Sequence, residues 1–326
     1  RVPVPPVPPR LPAYARALQF DARWEPAADV HRTVIAHAHP VEEADIVIAA
    51  NMQLGSCLRP LMQLDEASLA YTRAGCVAAM TGDIVNVLRA RIFEANIAND
   101  RGNLPLAQSL LEETIRESAA NRLTEVRALA LHARADVALR RGEFEVAVGM
   151  AYEALDGLTA PSARDRVLAD IAVAFYELGM RSAARDAYLI LAATAQEQYE
   201  RWVAVINLME CAAADGREPM FEHYRRELVD ASLPVALACQ YHYYVGQGYR
   251  LFGRNVQAEA SLKRAIQLAE QHRINEVLFR AEQSLEALRD GGVVIIANAP
   301  APSPAPEVER VADAVREMRE LAGVAG

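Results

Sequence analysis

The chain has 326 residues, a formal net charge of −9, 52% hydrophobic residues and only 6% aromatics. An acidic chain without a basic run is a poor nucleic-acid binder, and no apolar run is long enough to span a membrane. Lys263 is the only lysine, every other cation being arginine, which fits a GC-rich bacterial genome better than selection for phosphate binding.

Residues 1–12 form a Pro-rich segment expected to be extended, because proline blocks helix and pushes the residue before it to extended geometry. Its PxxP spacing with Arg1 and Arg10 fits an SH3 ligand, but a stiff linker is the simpler reading. With no initiator Met and no signal peptide, a fragment or processed form is expected.

From residue 13 to 290 a comb recurs. Glycines at 102, 142, 179, 216 and 253 are spaced 40, 37, 37 and 37 residues. Five residues after each come Ala107, Ala147, Ala184, Phe221 and Ala258; seven before each come Ala95, Ala135, Ala172, Met209 and Gly246. Extended backwards, the comb falls on Gly55, Met62 and Ala67, then on Ala15, Ala22 and Ala27. A repeat of this size means stacked helix pairs. Each glycine ends a first helix in a left-handed conformation, and the small residues on either side let the two backbones cross closely. Ala147→Leu is expected to overpack that crossing, at about 1–3 kcal/mol.

The predicted pairs occupy about 12–39, 40–82, 83–123, 124–158, 160–199, 200–233 and 234–274. The sixth departs, with Met209, Phe221 and Arg225 at positions elsewhere small or apolar, and a local change of pitch is expected there. A lone helix from Asn275, with Val277, Leu278, Ala281, Leu285 and Leu288 on one face, would cap the array. Residues 291–306 look like an apolar, Pro-rich linker. In 307–326, Val308, Val311, Val315, Met318 and Ala322 form a seam too short for an independent coiled coil. Three fates are open to it: folding back, pairing with a second copy as a homodimer, or leading into a further segment.

A small residue, Gly seven on, Ala five further, then Tyr71, Leu111, Tyr188 or Leu262 after four more resembles the tetratricopeptide repeat (TPR). Ala74, Ala154 and Ala265 supply the next small position. The resemblance covers roughly 12–290, though the period exceeds the usual 34 or so, as in the arrays of bacterial regulators. It implies an all-α, right-handed solenoid of about seven helix pairs plus a capping helix, with a concave groove lined by the first helices.

In that register Arg89, Ile92, Asn96, Asn99 and Asp100 face the groove from the third repeat, and His132, Asp136 and Arg140 from the fourth. Arg166, Tyr176, Glu177 and Glu210 follow from repeats five and six, and Tyr243, Gln247 and Arg250 from the seventh. TPR proteins grip extended peptides with asparagines and cations at such positions; the paired lysines of the chaperone-tail clamp are missing. The competing reading is a ladder of surface ion pairs, such as Arg89 with Asp100 or Arg140 with Asp136, worth about 0–1 kcal/mol each. Five aromatics, Tyr241, Tyr243, Tyr244, Tyr249 and Phe252, crowd one helix that also carries Gly246 and Gly248. They suit either a binding surface or core packing against Phe221 and Tyr224.

Catalytic motifs (GxxxxGK[ST], strand-borne GxGxxG, HExxH, GxSxG) do not occur. Of His31, His37 and His39 only the last two are close, straddling a helix end, and the cluster suits turn or surface roles better than a metal. Cys57, Cys76, Cys211 and Cys239 lack CxxC spacing and suit small buried positions in a reducing cytoplasm. The expectation is a non-enzymatic, cofactor-free, cytoplasmic scaffold that binds protein or extended peptide. The alternative is the ligand-sensing part of a multidomain bacterial regulator or signalling enzyme.

Overall fold

The computed structural model describes residues 10–289 and 304–325. Its helices begin with the pairs α1 (Arg10–Phe20) and α2 (Trp24–His37), α3 (Ala44–Leu58) and α4 (Leu64–Thr81), and α5 (Ile84–Asp100) and α6 (Leu104–Ala120). Next come α7 (Thr124–Arg140) and α8 (Phe144–Gly157), α9 (Pro161–Glu177) and α10 (Arg181–Thr194), and α11 (Gln198–Ala214) and α12 (Glu218–Leu228). The seventh pair is α13 (Val235–Leu251) and α14 (Asn255–His272), followed by α15 (Asn275–Arg289) and α16 (Pro306–Leu321). No strand occurs among the described residues, and none of these helices is long and apolar enough to cross a membrane. The chain divides into two compact units at Ala174/Phe175, within α9.

From α1 to α8 each helix packs on the next in sequence, and α5 also packs on α7. Gly102 and Gly142 end α5 and α7 at φ +76° and +73°, and the chain turns back through Asn103 N–H to Ala98 C=O (2.8 Å) and Glu143 N–H to Ala138 C=O (2.9 Å). In the first two pairs Ala22 and Met62 hold the same turn at φ +55° and +58°, without glycine. Ala15, Ala27, Ala67, Ala95, Ala107, Ala135 and Ala147 are all buried where the helices cross. Gly55 shows why: a Cβ there would lie 2.4 Å from the fully buried Tyr71 ring.

The second unit repeats the device and varies it once. Gly246 admits Leu262, which a Cβ would approach to 2.7 Å. In the sixth pair Phe221 replaces the alanine and is fully buried, and Gly248 on α13 makes the room for it. Tyr249 and Phe252 pack edge-on against Phe221, each at 5.4 Å. So the aromatics of α13 divide: those two join the core around Phe221, whereas Tyr243 and Tyr244 serve the hollow described below.

The seam of α16 folds back onto α10, burying Val308, Val311 and Val315, with Met318 half-buried and Ala322 exposed. Arg319 Nη1 reaches Asp186 Oδ1 at 3.2 Å, and both side chains are largely buried. Of the three fates considered for this segment, folding back is the one observed.

Two expectations need correction. Residues 10–12 belong to α1 rather than to an extended linker, because the first amides of a helix have no intrahelical acceptor and Pro12 sits there without losing a bond. Cys76 is exposed, since it falls on the outward side of α4, while Cys57, Cys211 and Cys239 are buried. The expected extended stretch over residues 1–9 and the linker stretch 290–303 lie outside the described residues.

Gly248→Ala gains about 1 kcal/mol of helix propensity, but its Cβ would meet Phe221 at 2.2 Å. Overpacking against so immobile a ring falls at the upper end of about 1–3 kcal/mol, so a net loss of about 1–2 kcal/mol is expected in urea unfolding. Gly149→Ala in α8, with no atom within 4 Å of the new methyl group, should instead stabilise by about 1 kcal/mol. Arg319→Met strands the buried Asp186 carboxylate, which is relieved most cheaply by releasing α16. Amide exchange should therefore accelerate across α16 and stay unchanged in α13.

Candidate functional site

The first helices of successive pairs present equivalent positions about 37 residues apart, so side chains one repeat apart meet across neighbouring helices. In the first unit Asn99 Nδ2 donates to Asp136 Oδ2 at 2.6 Å. Asp100 accepts from Arg59 through both Nε (2.8 Å) and Nη2 (3.1 Å), and Arg140 Nη2 stands 3.5 Å away. Arg140 also lies 3.9 Å from Asp136, and His132 Nε2 meets Asp170 Oδ2 at 2.8 Å. Burial pushes the Asp136 carboxyl upward and Asp170 adds to this, while Arg140, His132 and Arg59 oppose it.

Asn99, Asp100, His132, Asp136 and Arg140 are thus joined to one another or to Arg59 and Asp170. The pairing of Arg89 with Asp100 does not form, because the two stand eleven residues, about 16 Å, apart along α5, and Arg59 pairs with Asp100 instead; the buried Arg89 Nε meets no hydrogen-bond partner among the described residues. Arg140 with Asp136 does form. Ile92 is buried and Asn96 half-buried, both on α5. Sequence reasoning missed Arg59 and Asp170, although they stand 41 residues before Asp100 and 38 after His132, near the repeat period.

In the second unit five anticipated residues, Tyr176, Glu210, Tyr243, Gln247 and Arg250, line one hollow of about 280 Å³. Arg181, Tyr244 and Arg280 complete it. Arg280 stacks its guanidinium 4.7 Å above the Tyr243 ring and 5.9 Å from Tyr244. Gln247 Nε2 donates to Tyr243 Oη and to Ser284 Oγ, both at 2.8 Å. Arg250 Nη1 approaches Ser284 C=O at 3.4 Å, but its buried Nε finds no acceptor among the described residues. Arg280 and Ser284 lie 37 residues beyond Tyr243 and Gln247, so carrying the comb one step into α15 would have found them. Arg166 and Glu177 are exposed and outside this lining.

The acid in the hollow is Glu210, which accepts from the Tyr176 hydroxyl at 3.3 Å. Burial pushes its carboxyl up to about 7; the Tyr176 hydrogen bond and Arg280 oppose this, while Glu177 adds to it. Arg181 is held 3.8 Å from Asp215, and Arg280 3.8 Å from the exposed Glu276. The hollow is therefore rich in cations and N–H or O–H donors, with one half-ionised carboxylate at neutral pH.

Between about pH 4.5 and 7 the folded chain keeps a proton on Glu210 that the unfolded chain has lost, so this group's contribution to stability declines as pH rises through that window. Glu210→Gln should remove that decline, read as the difference in urea unfolding between pH 5 and pH 8. Tyr176→Phe removes a donor to the ionised form and should move the Glu210 titration higher, followed by carboxyl-carbon NMR.

Neither a protein-family model nor a curated protein matches the chain in sequence. Among solved structures it resembles a Rap protein complexed with competence and sporulation factor, at 12% identity and TM-score 0.54, over 84% of this chain and 85% of that one. It also resembles the apo form of RapI, at 10% identity and TM-score 0.50, over 86% and 98%. A tetratricopeptide repeat protein from Parabacteroides merdae aligns at 14% identity and TM-score 0.49, over 84% and 98%. At such identities the likeness is one of fold, and the fold is an all-α, TPR-like helical solenoid.

Proposed function

We propose that this chain is a non-enzymatic, cytoplasmic scaffold that binds an extended stretch of protein along its first helices. Its anchor is the hollow formed by the end of α9 with α11, α13 and α15. The observation that carries this reading is the contrast between two sets of equivalent positions. In the first unit Asn99, Asp100, His132, Asp136 and Arg140 are engaged by one another or by Arg59 and Asp170. In the second the polar residues surround an open hollow with two tyrosine faces and an arginine whose Nε lacks an acceptor among the described residues. Aromatic rings and arginine are the side chains that dominate protein recognition. The fold shared with a Rap protein seen with a bound factor supports a recognition role. The same likeness supports a narrower version, in which the chain is the sensing part of a larger regulator.

Selection of random 12-residue peptides displayed on phage tests the scaffold reading. Enrichment on the wild-type chain should fall at least about tenfold on Arg250→Glu. Asn96→Ala tests the first helices of the first unit separately. Equal recovery on all three proteins would remove the first-helix face from consideration.

A further inference from the structure

The hollow of the second unit is described above by what lines it; the balance of its groups says what enters it. Donors outnumber acceptors. Arg250 keeps its Nε without an acceptor among the described residues and makes only a 3.4 Å contact to a carbonyl. The Tyr243 oxygen already accepts from Gln247 at 2.8 Å, which leaves its O–H to donate. The Arg280 guanidinium carbon lies 4.7 Å from the Tyr243 ring centroid, and its N–H groups are shared with the Tyr243 and Tyr244 hydroxyls. Ser284 Oγ donates to Arg280 C=O at 2.8 Å and so is committed as a donor. Against these stands Glu210, the one carboxylate among the described lining residues, held by the Tyr176 and Tyr244 hydroxyls.

We infer that the hollow seats a carboxylate of the bound polypeptide between Arg250 and Arg280, with Glu210 taking a proton from solvent as that carboxylate enters. This rests on the reading that the first-helix face binds polypeptide. The incoming anion pairs with the outer nitrogens of the Arg250 guanidinium, of which Nη1 has only the 3.4 Å contact to the Ser284 carbonyl, and receives the Tyr243 O–H. Two carboxylates in so small a space repel one another, so one of them must be protonated. Glu210 is the one: burial already pushes it up to about 7, whereas an ordinary peptide carboxyl stays ionised there. The charged or titratable groups facing Glu210 are Tyr176 and Glu177 at the end of α9, Arg181 and Tyr188 on α10, Cys211 on α11 and Asp215 just after it, Tyr243, Tyr244 and Arg250 on α13, and Arg280 on α15. The arginines stay charged throughout, and burial lifts Tyr176, Tyr244 and Cys211 further from neutrality. The ring faces give the carboxylate an apolar neighbour, and an aromatic residue beside it suits a hollow of about 280 Å³.

Three probes titrated into the full chain by calorimetry test this: N-acetyl-phenylalanine, N-acetyl-phenylalanyl-aspartyl-amide, and N-acetyl-phenylalaninamide, which has no carboxylate. The first two carry the carboxylate at a chain end and on a side chain, and the tighter of them identifies its source. That probe should bind about tenfold more tightly at pH 6 than at pH 8, the ratio of protonated Glu210 at the two values. Its heat should vary with the ionisation enthalpy of the buffer, as uptake of a proton requires. Glu210→Gln should bind it at pH 8 as tightly as the wild type does at pH 6, with no pH dependence left. Arg250→Gln should lose about tenfold at both values. Equal binding of the amide, or a pH dependence that survives in Glu210→Gln, overturns the inference. If phage-selected peptides still discriminate wild type from Arg250→Glu while both acids fail to bind, the carboxylate seat falls and the scaffold reading stands. If the peptides fail as well, both fall.

Discussion

The structure depends on the matching of a missing or minimal side chain on one helix to a large one on its neighbour. Gly55 meets Tyr71, Gly246 meets Leu262 and Gly248 meets Phe221, each at a distance that a Cβ would close to 2.2–2.7 Å. Two helix backbones approach this closely only if one of them gives up its side chain at the crossing. The large partner is then buried on all sides, and its ring or branch defines the register of the pair. Where the rule is broken, at Phe221, it is broken in compensated fashion: the extra volume in α12 is answered by a second glycine on α13 two residues from the first.

Fixed register has a chemical consequence. Positions one repeat apart become spatial neighbours, so the chain can write a polar row across its first helices. Asn99 and Asp136 hold equivalent positions in the first unit, and Glu210, Gln247 and Ser284 hold them in the second, the numbers differing by 37 or 74. In the first unit the amide precedes the acid and donates to it at 2.6 Å, with an arginine nearby. In the second the amide follows the acid and turns away from it, donating to Tyr243 and Ser284. The same register thus yields a satisfied ladder in one unit and an open hollow in the other. The difference lies in the order of residue types along the row.

Much of this was legible from one sequence because a period repeated seven times averages out local ambiguity. The glycine turns, the buried alanines and the bounds of most helices follow from it, and so do five residues of the hollow. What was not legible was whatever departs from the comb. Ala22 and Met62 hold a left-handed turn that their own propensities disfavour, and only the spacing of their neighbours marks them. Pro12 looked like a helix breaker, whereas its effect depends on where in the helix it falls. The pairing of Arg319 with Asp186 joins residues 133 apart in sequence, outside any repeat, and a charge on the buried side of α10 gives no hint of which cation will answer it.

Two half-buried acids at equivalent repeat positions show why composition alone does not say where binding occurs. Asp136 and Glu210 are both pushed upward by burial, and both have arginines within reach. Asp136 is nevertheless neutralised in place by Asn99, Arg140 and, at longer range, Arg59 and His132. Glu210 has two tyrosines, Tyr176 and Tyr244, for near partners, donors without charge, while the arginines around it are turned toward Asp215, toward Glu276 and the tyrosine hydroxyls, and toward a backbone carbonyl. An acid so placed is poorly compensated when ionised, and the arginines are poorly compensated when it is not. An external anion resolves both imbalances at once, and that mutual frustration, rather than the presence of polar residues, separates the hollow from the ladder.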